Sequence, residues 1–277
     1  MAIRLGTVAP IGFDDFPPAE WLACFRDLGC TIVQAYRNQE ANVSLEQMRD
    51  AIAAGEMPCD SLHGVFGEQY DPCACQESHR RFAVEAYQRE GELALELGGH
   101  LVVVHCGTIR EGPVGPAEQQ LRWKQFRTSV AELGRHGERI GVTYAFENLP
   151  AYHVIGHDVA ELAGVLAELN VPRTGLCFDT GHAMMVGDPA AAVRAAAGRI
   201  CYVHLSDNAG GSDDHEMPTY GRLDCDAMAD AFHEVGYHGT MMLEVFHSVE
   251  RLKAMADDGC AERLAQIIHR ANGREAH

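Results

Sequence analysis

Short apolar, β-branched runs recur along the chain, at 3–8, 31–36, 59–63, 101–106, 142–147, 174–179, 200–205 and 239–245. Between them lie longer segments whose apolar residues follow helical spacing, over 18–28, 44–54, 77–97, 117–138, 158–168, 189–197 and 226–235, with a last helix over 250–271. Near-continuous apolar strands are what a parallel sheet buried on both faces requires. Eight of them alternating with helices predict an α/β chain folded as a closed (β/α)8 TIM barrel. The punctuation agrees with this reading. Gly98-Gly99, Gly141 and Gly239 stand where helices should stop before strands, and Asp158 and Asp188-Pro189 where helices should start.

The 277 residues suit one such domain, 1–277, because a barrel of this kind takes about 250. A doubly wound sheet would more often carry a glycine-rich phosphate loop, and neither GxGxxG nor GxxxxGK[ST] occurs. No linker or low-complexity tract divides the chain.

Charge narrows the partners. Forty acidic residues oppose 22 basic ones, a formal net charge of -18. Arg80-Arg81 is the densest basic spot, too small to track a phosphate backbone, so the charge argues against nucleic acid as a partner. The ten cysteines fit no small disulfide framework, and Cys106, Cys177 and Cys201 sit inside strand-like runs, as free thiols do in a reducing compartment. Cys73-Ala74-Cys75 lacks a second pair at zinc-site spacing. The N-terminal run Ile3–Gly6 reads as a strand rather than a signal peptide, and no apolar run approaches the ~18 residues of a membrane span. The expectation is a cytoplasmic protein, with a homo-oligomer an open alternative.

In a barrel the chemistry gathers at the C-terminal strand ends. Six consecutive strands end in a histidine or a carboxylate: His63, His105, Glu147, Asp179 (with His182 three residues on), His204 and Glu244. The loop after the seventh strand adds Asp213 and His215. One charged group at the edge of a core is readily a hydrogen-bonded structural residue. A ring of them is costly unless a shared cation neutralises it. Carboxylates with imidazoles suit Mn or Zn, with Co, Fe or Mg as alternatives. Glu147, Asp179, His204 and Glu244 are the strongest ligand candidates; His63, His105, His182, Asp213 and His215 are possible additions. Substrate contacts are expected from His63, Phe66, His105, His182 and Arg222, although Arg222 reads equally well as a surface residue. Trp21 reads first as core. The remaining histidines (His79, His100, His136, His153, His157, His233, His238, His247, His269 and His277) read as surface or loop.

Phe146-Glu147-Asn148, Asp179-Thr180-Gly181-His182, the run Val203–Asn208, Asp213-Asp214-His215 and Leu243-Glu244 follow one another as in the xylose isomerase-like barrel superfamily, which the chain resembles over nearly its whole length. In the sugar isomerase and epimerase branch, the resemblance implies one divalent metal on Glu147, Asp179, His204 and Glu244. It also implies the two glutamates as an acid/base pair for proton transfer next to a carbonyl, through a metal-stabilised enediolate, with His182 assisting. In the branch of endonuclease IV-type apurinic endonucleases, it implies three zinc ions on those four residues together with His63, His105, His182, Asp213 and His215. A metal-dependent sugar-acid or inosose-type dehydratase would use the same ligands. Phe66 stands where the endonucleases tend to carry tyrosine. The expected substrate is a small sugar or sugar derivative.

Overall fold

The computed structural model describes residues 2–110 and 112–273. Eight parallel strands close into a barrel in sequence order: β1 (Arg4–Ile11), β2 (Ile32–Arg37), β3 (Cys59–His63), β4 (Leu101–His105), β5 (Thr143–Glu147), β6 (Thr174–Asp179), β7 (Ile200–Leu205) and β8 (Thr240–Leu243), with β8 pairing back onto β1. The expected (β/α)8 architecture is the observed one. The strands are buried along nearly their whole length, which is why they read as continuous apolar runs rather than alternating ones.

The helices around them are α1 (Pro18–Asp27), α2 (Leu45–Ala53), α3 (Glu77–Glu96), α4 (Pro116–Ile140), α5 (Val159–Leu169), α6 (Thr180–Met184), α7 (Pro189–Ala195), α8 (Cys225–Glu234), α9 (Val249–Asp257) and α10 (Cys260–Ala271). Their starts are set by local side chains. Ser44 and Gln47 form a reciprocal capping box, and Asp158 and Asp188 accept from Glu161 N and Ala190 N. Gly141 stops α4 in the left-handed conformation, at φ 85°.

One expectation needs correction. The single last helix over 250–271 is two helices, because the chain turns left-handed at Gly259 (φ 78°), breaking the hydrogen-bond ladder between α9 and α10. A short helix, α6, directly follows β6; Asp179 both ends the strand and caps the helix, accepting from His182 N at 2.6 Å. Among the described residues, no helix is long and apolar enough to cross a membrane.

Register brings the chemistry to one level. His105 pairs with Glu147 across β4 and β5, and Asp179 with His204 across β6 and β7. Glu244 lies one residue beyond the end of β8, its backbone N–H donating to Leu205 O.

Candidate metal centre and substrate cavity

Glu147, Asp179, His204 and Glu244, from four different strand ends, converge so that one ligand atom of each lies within 4.8 Å of the others, and all four are buried. His204 is the hub. Its Nδ1 stands 2.7 Å from Glu147 Oε1 and 2.8 Å from Glu244 Oε2. Its Nε2 stands 3.1 Å from Gln34 Oε1. An amide oxygen only accepts, so Nε2 must carry a proton. Gln34 is itself oriented by donating to Ser61 Oγ at 3.3 Å. Burial pulls His204 down, but Cys177, Glu244 and Glu147 outweigh it and raise its pKa well above the ordinary value, so Nδ1 carries a proton between the two carboxylates, at the place a cation would take.

At His63 acceptors do face acceptors. Its Nδ1 donates to Gly64 O at 2.9 Å, and burial pushes its pKa down to about 4. Its Nε2 lone pair then faces Glu147 Oε2 at 3.9 Å and Glu244 Oε1 at 4.0 Å. Glu147 Oε2, Asp179 Oδ2 and Glu244 Oε2 are buried without a hydrogen-bond partner of acceptable geometry. Buried acceptors aimed at buried acceptors repel unless a cation lies between them. The donor set and its orphaned oxygens fit a divalent metal ion.

Electrostatics sort the surrounding groups. Burial would raise Glu147, but His204 and His105 outweigh it and hold its carboxyl well below the usual range. Glu244 is likewise held near 2, burial being outweighed by His204. Burial, reinforced by Glu147, Glu244 and Asp213, pushes Asp179 up to about 7 against the pull of His182. Burial pulls His182 down, but Asp179, Asp213 and Glu147 bring it to about 10.

His182 spends both ring nitrogens, donating to Asn148 O at 2.8 Å and to Asp213 Oδ2 at 3.1 Å. Asp213 also receives His215 Nε2 at 3.3 Å, while His215 Nδ1 donates to Glu244 O at 3.0 Å. His105 Nε2 lies 3.2 Å from Glu147 Oε2, and His63, His105 and Glu147 form a second group compact enough to hold an ion. Cys177, level with Glu147, also falls within reach of His204; burial pushes its thiol up, so it stays protonated.

A family model described as a xylose isomerase-like TIM barrel matches residues 22–265. The chain belongs to that family. Two curated relatives are uncharacterized proteins, one of Methanocaldococcus jannaschii (29% identical over 66% of this chain) and one of Sinorhizobium fredii (26% over 60%). The matches span only 63% and 53% of those relatives' own lengths. Solved structures with the same fold include a D-tagatose 3-epimerase-like protein (20% identity, TM-score 0.73, covering 95% of this chain and 100% of that one). An L-ribulose 3-epimerase (19%, 0.74, 97% and 98%) and a Methylomonas D-allulose 3-epimerase with D-allulose (17%, 0.75, 97% and 97%) are equally similar.

Within this family barrel, the nine histidines and carboxylates singled out from sequence all come to one mouth, and Phe66 stacks on His105 there with ring centres 5.1 Å apart. Arg222 does not join them. It is exposed, its guanidinium reaching Ala209 O, while its backbone N–H serves Asp207. Trp21 is fully buried, donating to His247 O. Of the histidines expected at the surface or in loops, His153 and His247 lie on loops yet are buried, and His136 is buried within α4; His136 pairs with Tyr144 OH and His247 with Glu216. His277 lies outside the described residues.

Sequence reasoning passed over Gln34, although a glutamine inside an apolar strand was a signal. The role of Asp207 was also missed. Its buried carboxylate accepts backbone N–H bonds from Asn208, Thr219, Gly221, Arg222 and Leu223 at 2.8–3.1 Å. A Cβ at Gly221 would sit 2.2 Å from its Oδ1, so only glycine lets the chain approach this closely. Asp207 thereby pins the loop that carries Asp213 and His215. Beside the cluster opens a cavity of about 740 Å³, floored by His105, His182 and Asp213 and walled by the loops after β4 and β5.

Proposed function

We propose that this chain is a divalent-metal-dependent sugar isomerase or epimerase that works by proton transfer at a carbon next to a carbonyl. The observation that carries this reading is the convergence of Glu147 and Glu244 on His204 with orphaned buried oxygens between them. Glu147, Asp179, His204 and Glu244 would hold the ion, Mn or Zn by donor type. Bound there, it would supply the positive charge that a carbonyl oxygen needs as a neighbouring C–H loses its proton.

The protein's own groups supply the rest. Glu147 and Glu244 come from β5 and β8, three strands apart around the ring, so they approach a molecule in the mouth from different sides. Their low pKa values keep both ionised at neutral pH, ready to accept a proton. One removes the proton; the other, or the same one, returns it, and which does so decides the stereochemical outcome. His182, a cation fixed between Asn148 O and Asp213, presents positive charge to a substrate oxygen at the floor of the cavity. The sugar epimerases of the same fold support a sugar substrate.

A second reading, with more than one ion, is favoured by the compact group His63, His105 and Glu147, which shares Glu147 with the first. The experiment for both is metal analysis together with solvent-deuterium incorporation into ketoses. One ion per chain with exchange supports the isomerase reading. About three zinc ions, no exchange and cleavage of abasic DNA would replace it with the phosphodiesterase alternative.

A further inference from the structure

The cavity is larger than one monosaccharide needs. A volume of about 740 Å³ lies within the range of about 300–1,000 Å³ that takes drug-sized ligands, whereas a free monosaccharide would fill only the part above His105 and His182. The cavity is lined mainly by the loops after β4 and β5, with Phe66, Gly67 and Glu68 of the loop after β3 joining them. The loops after β4 and β5 are tied together by an antiparallel bridge between Ile109 and His153, with Arg110 N donating to Tyr152 O and Val154 N to Thr108 O at 3.0 Å each. The wall is thus built in advance rather than left to form on binding.

Its chemistry is that of a sugar ring's surroundings. Tyr152 and Ile109 are 40% and 60% exposed beside the opening, although most large apolar residues of the chain are buried. The Tyr152 ring centre lies 4.8 Å from that of His153, which stands 6.5 Å from that of His105. His153 Nδ1 lies 3.3 Å from Pro150 O, which fixes the proton there and leaves Nε2 an acceptor for a hydroxyl. Arg110 adds a planar donor at the rim. A phosphate is poorly served, because Arg122 is committed to Glu118 and Asp71, and Glu68 and Asp213 bring further negative charge.

We propose that the cavity between Phe66 and Tyr152 is a subsite for a second pyranose ring, so that the substrate is a ketose or keto-sugar joined to another sugar. This rests on the sugar reading above. An aromatic face packs on the apolar face of a pyranose, and His153 Nε2 and Arg110 meet its hydroxyl edge.

The test is calorimetric binding of fructose, lactulose and isomaltulose to the Mn-loaded protein, which does not depend on turnover. The expected result is that at least one disaccharide binds about fivefold or more tighter than fructose, and that Tyr152→Ala brings the ratio below about twofold with melting temperature and metal content unchanged. A ratio under fivefold for both disaccharides, or no binding at all, overturns the subsite. So does a Tyr152→Ala protein that keeps its preference, or one whose only change is loss of a dimer in sedimentation. Deuterium exchange on the same sugars separates the two claims. Tighter disaccharide binding without exchange leaves the subsite and removes the isomerase reading; exchange of fructose with no disaccharide preference does the reverse.

Discussion

The two ends of the barrel use similar residues to opposite effect. At the N-terminal end, Asp60 is surrounded by partners: Ser61 Oγ at 2.8 Å and Tyr202 OH at 3.0 Å on one oxygen, Thr240 Oγ1 at 2.7 Å and Arg4 Nη2 at 3.5 Å on the other. At the C-terminal mouth, Glu147, Asp179 and Glu244 each keep a buried oxygen without a hydrogen bond of acceptable geometry, imidazoles being their nearest neighbours. A satisfied carboxylate stabilises the fold, while a cluster of unsatisfied ones holds the fold in a conformation that only an added cation relieves. The difference separates structure from function by hydrogen-bond accounting, without appeal to residue type.

The comparison is breakable at both ends. The largest expected effect is on turnover: Glu147→Gln and Glu244→Gln should each lower kcat/KM for the exchanging sugar by about 10³-fold, the scale of a lost acid/base group, while the far-ultraviolet spectrum stays native. Next, Asp207→Asn should destabilise by about 3 kcal/mol in urea unfolding, because an amide nitrogen would face the N–H groups that the carboxylate now accepts. Gln34→Leu should weaken metal binding about 10- to 100-fold by freeing the His204 tautomer, measured by competition with a chelator. Asp60→Asn should cost about 2 kcal/mol of stability yet leave metal affinity unchanged. The smallest effect carries the opposite sign. Asp179→Asn should stabilise the metal-free protein by about 1 kcal/mol, since the amide still caps His182 N but no longer adds charge to the cluster.

The strand ends were legible because a buried parallel strand leaves an unbroken apolar run, and the first polar residue after it marks the mouth. His105, Glu147, Asp179 and His204 stand out in this way. Gln34 was harder to see. It lies inside β2, where only the inward direction of its side chain reveals a partner for His204. His153 read as one more loop histidine, because its burial depends on an antiparallel bridge between two loops that no periodicity encodes. The Asp207 pin depends on backbone N–H groups up to sixteen residues away, which sequence spacing does not announce. The break at Gly259 was visible as Asp258-Gly259, but the apolar spacing on either side stays in phase and hid it.

The central claim is that the orphaned oxygens belong to a cation, and melting with and without metal tests it most directly. Protein stripped by a chelator and titrated with Mn²⁺ or Zn²⁺ should melt higher, by about 2.7 kcal/mol of added stability at a hundredfold excess over Kd, and the Glu147→Gln, Glu244→Gln double variant should lose most of that gain. A stripped protein whose melting neither ion changes, or a double variant that gains as much as the wild type, would contradict the account.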